Sequence, residues 1–185
     1  KIISLNDLIL KGNHNYENIM AAILAVKEIG VSNEAICKVL RDFGGVEHRL
    51  EFVCEVNRRK FYNDTEATNI KCCQIALSSF RKPTILFLGG YERGQDFNEL
   101  KPFMNNVKNI IAIGECRERV VDFGNKLNIE TFVFEHLKDS FEKIKEISES
   151  GDIVLLSPAS ASWDQYKECE ERGDLFKKCV GELDG

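Results

Sequence analysis

Four short apolar runs mark the second half of the chain, at residues 84–88, 109–113, 131–134 and 152–156. Each is too short for a buried helix and rich in β-branched or aromatic side chains, so each reads as a strand buried on both faces. Between them lie helical patterns at residues 69–80, 97–104, 117–127 and 138–148. Leu175, Phe176, Cys179, Val180 and Leu183 then repeat at helical spacing, which predicts a last helix. Ahead of these runs, residues 50–56 and 60–62 alternate as a hairpin around an Asn57-Arg58 turn. Continuous apolar strands alternating with amphipathic helices predict an α/β domain, Rossmann-like, with a mostly parallel sheet covered by helices on both faces.

The first 45 residues have a different texture. Residues 1–10 alternate weakly, as in a strand followed by a loop. Ile19, Ala22, Ile23, Val26 and Ile29 form an apolar stripe that predicts a helix over residues 15–29, ended by Gly30. Asn33 is the expected cap of a second helix carrying Ile36, Val39 and Leu40. Asp42-Phe43-Gly44-Gly45-Val46 breaks the pattern and reads as a linker or hinge. Two helices without a sheet do not make a core, so residues 1–45 are expected to be the end of another domain and residues 46–185 the α/β domain. On this reading the chain is a piece of a larger protein.

Charge and cysteines narrow the class. A net charge of −5 gives a nucleic-acid partner no electrostatic support. The seven cysteines have neither metal-type spacing nor an even count, which fits reduced cytosolic thiols. No apolar run approaches the roughly 20 residues that span a bilayer, and no signal peptide is recognised, so no membrane partner is expected.

Four segments carry candidate chemistry. The most specific is Ser157-Pro158-Ala159-Ser160-Ala161-Ser162-Trp163-Asp164-Gln165-Tyr166-Lys167, closed by Glu170-Glu171-Arg172-Gly173-Asp174. It leaves an apolar strand and re-enters a helix, where an open α/β sheet places ligands and a helix start offers N–H groups to an anion. Asn63-Asp64-Thr65-Glu66-Ala67-Thr68-Asn69 joins a strand to a helix, and Asp64 stands where a carboxylate accepts ribose hydroxyls. Thr68 or Asn69 caps the next helix, and simple capping competes with the ligand reading here. Leu88-Gly89-Gly90-Tyr91-Glu92-Arg93 sets a guanidinium at the carboxyl edge of the sheet, suited to a carboxylate. A solvent-facing loop arginine is the competing reading. Gly12-Asn13-His14-Asn15-Tyr16-Glu17-Asn18 puts Asn15 and Asn18 on one helical face, where amides match an adenine edge or cap the helix. In Val46-Glu47-His48-Arg49, Arg49 is a candidate phosphate contact and His48 reads as packing or an inter-domain hydrogen bond. There is no P-loop, no dinucleotide fingerprint, no nucleophile elbow and no clustered metal set, so the chain alone shows no machinery for phosphoryl transfer.

Taken in order, these segments resemble the C-terminal part of a Mur ligase, most nearly the branch of that family that adds D-glutamate. The resemblance runs over essentially the whole chain and is most specific at 155–166 and Glu171-Arg172-Gly173. It implies an ATP- and Mg2+-dependent ligase that phosphorylates the carboxylate of UDP-MurNAc-L-alanine and lets the amine of D-glutamate attack the acyl phosphate. Residues 1–45 would be the tail of a central P-loop ATPase domain, and residues 46–185 the D-glutamate-binding C-terminal domain. Asn15, Asn18, Arg49 and Asp64 match ATP-binding positions; Thr68, Arg93, Ser162 and Trp163 match positions around D-glutamate. No catalytic or metal-binding residue falls in this stretch. The isolated chain is expected to be inactive and to hold no cofactor, and the whole enzyme to be a cytoplasmic monomer. Glu66 stands where the family commonly has lysine, Cys169 where an aromatic often packs, Ser160 where cysteine is frequent, and Arg93 where some members carry lysine. A Mur-type ligase for another amino acid and a stand-alone α/β nucleotide-binding module are the alternatives.

Overall fold

The structure, a computed structural model, describes residues 2–10 and 13–184. The chain divides into two compact units, Lys1–Val46 and Glu47–Gly185.

The larger unit is organised by a six-stranded sheet. Its strands are β1 (Glu51–Val56), β2 (Arg59–Asn63), β3 (Thr84–Gly89), β4 (Val107–Ile113), β5 (Glu130–Val133) and β6 (Ile153–Leu156), ordered β1-β2-β6-β3-β4-β5. Only β1 runs antiparallel, joined to β2 through Asn57 and Arg58 at φ 51° and 63°. Two successive left-handed residues are what a two-residue hairpin with native twist needs. All other pairs are parallel, and the predicted α/β class holds.

Period-two alternation divides the core between the two faces. Leu86, Leu88, Ile110, Ala112 and Leu155 meet α3 (Ile70–Ser78) and α4 (Arg117–Lys126) on one face. Ile85, Phe87, Ile111, Val154 and Leu156 meet α5 (Phe141–Ile147) and α6 (Cys169–Gly181) on the other. The last strand, β6, is inserted between β2 and β3, so the loops after β2, β6 and β3 are neighbours at the carboxyl edge.

The smaller unit holds α1 (Asn13–Glu28) and α2 (Asn33–Asp42). Three local expectations are corrected. No strand forms among the described residues of 1–10. The Ser4 side chain takes the Asn6 N–H and its carbonyl takes that of Asp7, closing a 3-10 turn at Leu5–Asp7 instead. Helix α2 is capped by Ser32, whose Oγ accepts the Ala35 N–H at 3.2 Å, and Asn33 is its first residue. Residues Phe97–Asn106 form a 3-10 helix rather than an α-helix, since Pro102 inside it has no N–H to give. As expected, the chain after β6 runs as a loop, through Glu168, before a helix, α6, begins at Cys169.

Candidate functional site

The loop after β2 is held by its own carboxylate. Asp64 is buried, accepting the Leu50 N–H on Oδ1 at 3.0 Å and the Ser157 hydroxyl on Oδ2 at 2.7 Å. Each oxygen thus accepts one hydrogen bond from within the fold, and a carboxylate has further lone pairs for other donors. Burial pushes the Asp64 carboxyl up to about 6, against the lowering effect of the two hydrogen bonds. The turn that Asp64 grips carries Arg49 between two left-handed residues, His48 at φ 66° and Leu50 at φ 45°. Such backbone is strained for residues with a Cβ, and it persists here because Asp64 holds Leu50 while Glu51 accepts the His48 N–H at 3.0 Å. Asp64 thus sets the attitude of Arg49. The Arg49 guanidinium, two-thirds exposed, lies 3.5 Å from the Glu66 carboxylate. His48 is buried and its Nδ1 meets the Asn63 amide at 2.9 Å, as the packing reading expected.

Of the two proposed caps for α3, Asn69 takes the role, its Oδ1 accepting the Cys72 N–H at 3.0 Å. That leaves Thr68, half-buried, without a capping duty. It lines a cleft of about 410 Å³ together with Lys71, Arg93, Asp96, Glu99 and Ser160. Arg93 reaches this cleft from the loop after β3. It is exposed, and its guanidinium carbon stands 5.4 Å from the centre of the Trp163 ring. Tyr91 flanks the same ring, with centroids 6.1 Å apart.

The loop after β6 is buried from Ser157 to Ser162. Ala159 holds a left-handed φ of 53°, and the Pro158 and Ala161 carbonyls accept the Gly89 and Tyr91 N–H groups at 2.9 Å. Ser160 Oγ accepts from the Gln95 amide at 2.6 Å. Ser162 is 1% exposed, and its Oγ has no hydrogen-bond partner among the described residues. A buried hydroxyl without a partner is costly, which singles Ser162 out within this loop.

Behind these loops sits a residue to which the sequence reading gave no role. Arg172 is 1% exposed. Its Nε donates to Thr65 Oγ1 at 2.9 Å, and its Nη2 donates to the carbonyls of Thr65 and Ser160 at 3.0 and 3.1 Å. Its Nη1 donates to the Ala161 carbonyl at 3.3 Å. Desolvation lowers the guanidinium to about 10, so it stays charged at neutral pH. The signal was available: Arg172 stands four, seven and eight positions before Phe176, Cys179 and Val180, on the buried stripe of α6.

The helix start after this loop does not await an anion. Glu170 and Glu171 occupy the first turn of α6, and Glu170 is held below the usual carboxylate range by the helix's own N–H. Two clusters of acidic side chains each bring three potential ligand atoms together. At Glu47, His48 and Asp174 the Lys177 ammonium already bonds both carboxylates. At Glu66, Cys169 and Glu170 burial pushes the thiol up to about 11.

The structure therefore brings Thr68, Arg93 and Trp163 together around the cleft and its adjoining loop, with Ser162 buried in the same loop as Trp163. Arg49 and Asp64 adjoin one another through Leu50. Asn15 and Asn18 stand on α1 in the other unit, and Gly12 of their motif lies outside the described residues.

A mostly parallel sheet with three adjacent strand-end loops makes this an α/β domain of the kind that carries ligand sites at its carboxyl edge. Residues 48–160 match the family described as Mur ligase, glutamate ligase domain. The chain belongs to the Mur ligase family. It is 51% identical over 180 residues to the UDP-N-acetylmuramoylalanine--D-glutamate ligase of Bacillus pumilus (strain SAFR-032), covering 97% of this chain and 40% of that relative. It is 47% identical over 184 residues to the ligase of the same name from Bacillus thuringiensis (strain Al Hakam), covering 99% and 41%. The chain thus spans about two-fifths of the length of these curated relatives. The fold is shared with the crystal structure of UDP-N-acetylmuramate-alanine ligase MurC from Thermotoga maritima, at a TM-score of 0.70 and 16% identity. That likeness covers 95% of this chain and 40% of that one. Among the described residues, no helix is long and apolar enough to cross a membrane.

Proposed function

We propose that this chain is the C-terminal part of an ATP-dependent ligase that adds D-glutamate to UDP-MurNAc-L-alanine, and that the whole enzyme works in the cytoplasm. The observation carrying this reading is the cleft bounded by Thr68 and Arg93, found in a chain 51% identical to a D-glutamate ligase along nearly its full length. Lys1–Val46 then belongs to the central ATPase domain and Glu47–Gly185 is the D-glutamate-binding domain.

In this account Arg93 pairs with a carboxylate of D-glutamate, and Trp163 shields that pair from water on one side. The fork of a guanidinium suits a carboxylate better than an ammonium does. Ser162 Oγ and Thr68 supply hydroxyls to the amino acid's oxygens. Bound ATP, with its Mg2+, supplies the phosphoryl group that activates the acceptor carboxylate. On this chain Arg49 faces the nucleotide phosphates, and Asp64 serves by holding the Arg49 turn. Asn15 and Asn18 are the proposed adenine contacts. Holding the amine against an activated carboxylate is a positioning effect, which by itself supplies up to about 7–11 kcal/mol of barrier reduction.

The test is Arg93→Ala in the full-length enzyme. The KM for D-glutamate rises far more than that for ATP; equal changes in both would overturn the role given to Arg93. The chain alone, without the rest of the enzyme, forms no amide bond.

A further inference from the structure

Three strand-end loops converge on one side chain. Arg172 ties the loop after β2, through Thr65, to the loop after β6, through Ser160 and Ala161. The loop after β3 is packed against the same group: a Cβ added at Gly90 would stand 3.1 Å from Arg172 Nη1 and 2.3 Å from the Ala161 carbonyl. Ala161 O accepts from both Tyr91 N and Arg172 Nη1, so the β3 and β6 loops share one acceptor. The proposed D-glutamate groups hang from these loops. Thr68 is three residues after Thr65, Arg93 is three after Gly90, and Ser162 follows Ala161 directly.

Charge points the same way. Among the described residues no carboxylate forms a salt bridge with Arg172, and all four of its partners are carbonyl or hydroxyl oxygens. Asp164 acts on it only at longer range and is itself bonded to the Glu115 N–H at 2.9 Å. At the cleft surface Lys71 and Arg93 are balanced by Asp96 and Glu99. The positive charge left over is the buried one, immediately behind the Ser160 wall of the cleft. Stability alone does not explain it, because an apolar side chain in the same volume is usually no worse than a buried charge.

We propose that Arg172 is the positioning residue of the amino-acid pocket, holding the three loops in register and presenting an unpaired positive charge behind the place where a dicarboxylate sits. This rests on the D-glutamate reading of the cleft. Two properties of one side chain are involved: the fork sets geometry, and the charge sets preference for an acidic amino acid.

The experiment uses the full-length enzyme with Arg172→Lys, which keeps charge and loses the fork, and Arg172→Met, which keeps length and loses charge. In Arg172→Lys the KM for D-glutamate rises about tenfold, and in Arg172→Met about a hundredfold, while the KM for ATP stays within about threefold. A structural role alone would lower the amount of active enzyme, and so kcat, without separating the two KM values. Should Arg172→Met not fold, Arg172→Lys carries the test, with Thr65→Val, which removes the Nε acceptor, as the second variant. An unchanged KM for D-glutamate in folded Arg172→Lys and Thr65→Val overturns the proposal. An unmodified enzyme that ligates no D-glutamate overturns the functional reading beneath it instead.

Discussion

Ser157 and Asp64, 93 residues apart in sequence, share a 2.7 Å hydrogen bond that locks the loop after β6 to the loop after β2. The same carboxylate reaches Leu50 and so holds the Arg49 turn. One buried acid therefore couples two loops of the proposed pocket to the candidate phosphate-binding arginine.

The pH dependence of stability follows from the burial of this carboxyl, which outweighs its hydrogen bonds. Burial lifts the Asp64 carboxyl from 3.8 to about 6. Between those values the folded chain keeps a proton that the unfolded chain has released. Its contribution is complete below pH 3.8 and is lost as pH rises through 6. Measured by denaturant unfolding, the stability of the wild-type chain relative to Asp64→Asn falls by up to roughly 3 kcal/mol between pH 4 and 7. Parallel profiles for the two proteins would contradict it.

Gly89 ends β3 at φ +109°, and a Cβ there would lie 2.3 Å from the Ile113 carbonyl oxygen. Gly89→Ala is expected to cost more than about 3 kcal/mol, from strained backbone and the clash together. Gly181→Ala is the control, since its Cβ meets nothing within 4 Å. It leaves stability unchanged or raises it by up to about 1 kcal/mol.

Phe87 lies fully buried between Phe141 and Phe176, with ring centroids 6.0 and 5.6 Å away. It links β3 to both α5 and α6. Phe87→Ala leaves a cavity on that face and lowers unfolding free energy by about 3–5 kcal/mol. A loss below 1 kcal/mol in urea titration would mean the face repacks.

Glu66 holds Arg49 in an exposed ion pair. In the full-length enzyme, Glu66→Gln frees the guanidinium for phosphate and lowers the KM for ATP by about two- to fivefold, the scale of an exposed pair. Steady-state kinetics on the double variant with Arg49→Ala checks the cause, because the gain vanishes when the arginine is gone.

The departures at Glu66 and Cys169, both read from the sequence, meet in three dimensions. Cys169 Sγ lies 3.7 Å from Glu66 Oε1, and the Cys169 carbonyl accepts from Thr65. Two changes distant in sequence are thus one local change, on the same loop that carries Thr68.

The apolar runs by themselves determined the strands, because a two-residue period and a short buried run are local properties that survive any tertiary arrangement. The Asn57-Arg58 turn and the Gly89-Gly90 bend were local too, set by which residues tolerate left-handed or otherwise strained backbone. The motif order was enough to point to the family. Only the tertiary structure decided that β6 sits between β2 and β3, and that insertion is what brings Ser157 to Asp64 and Arg172 to Thr65, 107 residues away. It also showed that Asp64 bonds Leu50 and Ser157, while the buried Ser162 hydroxyl has no partner among the described residues. The reason is physical: pattern reports which face of an element is apolar, whereas the partners of a buried charge come from whichever distant loops the strand order makes neighbours.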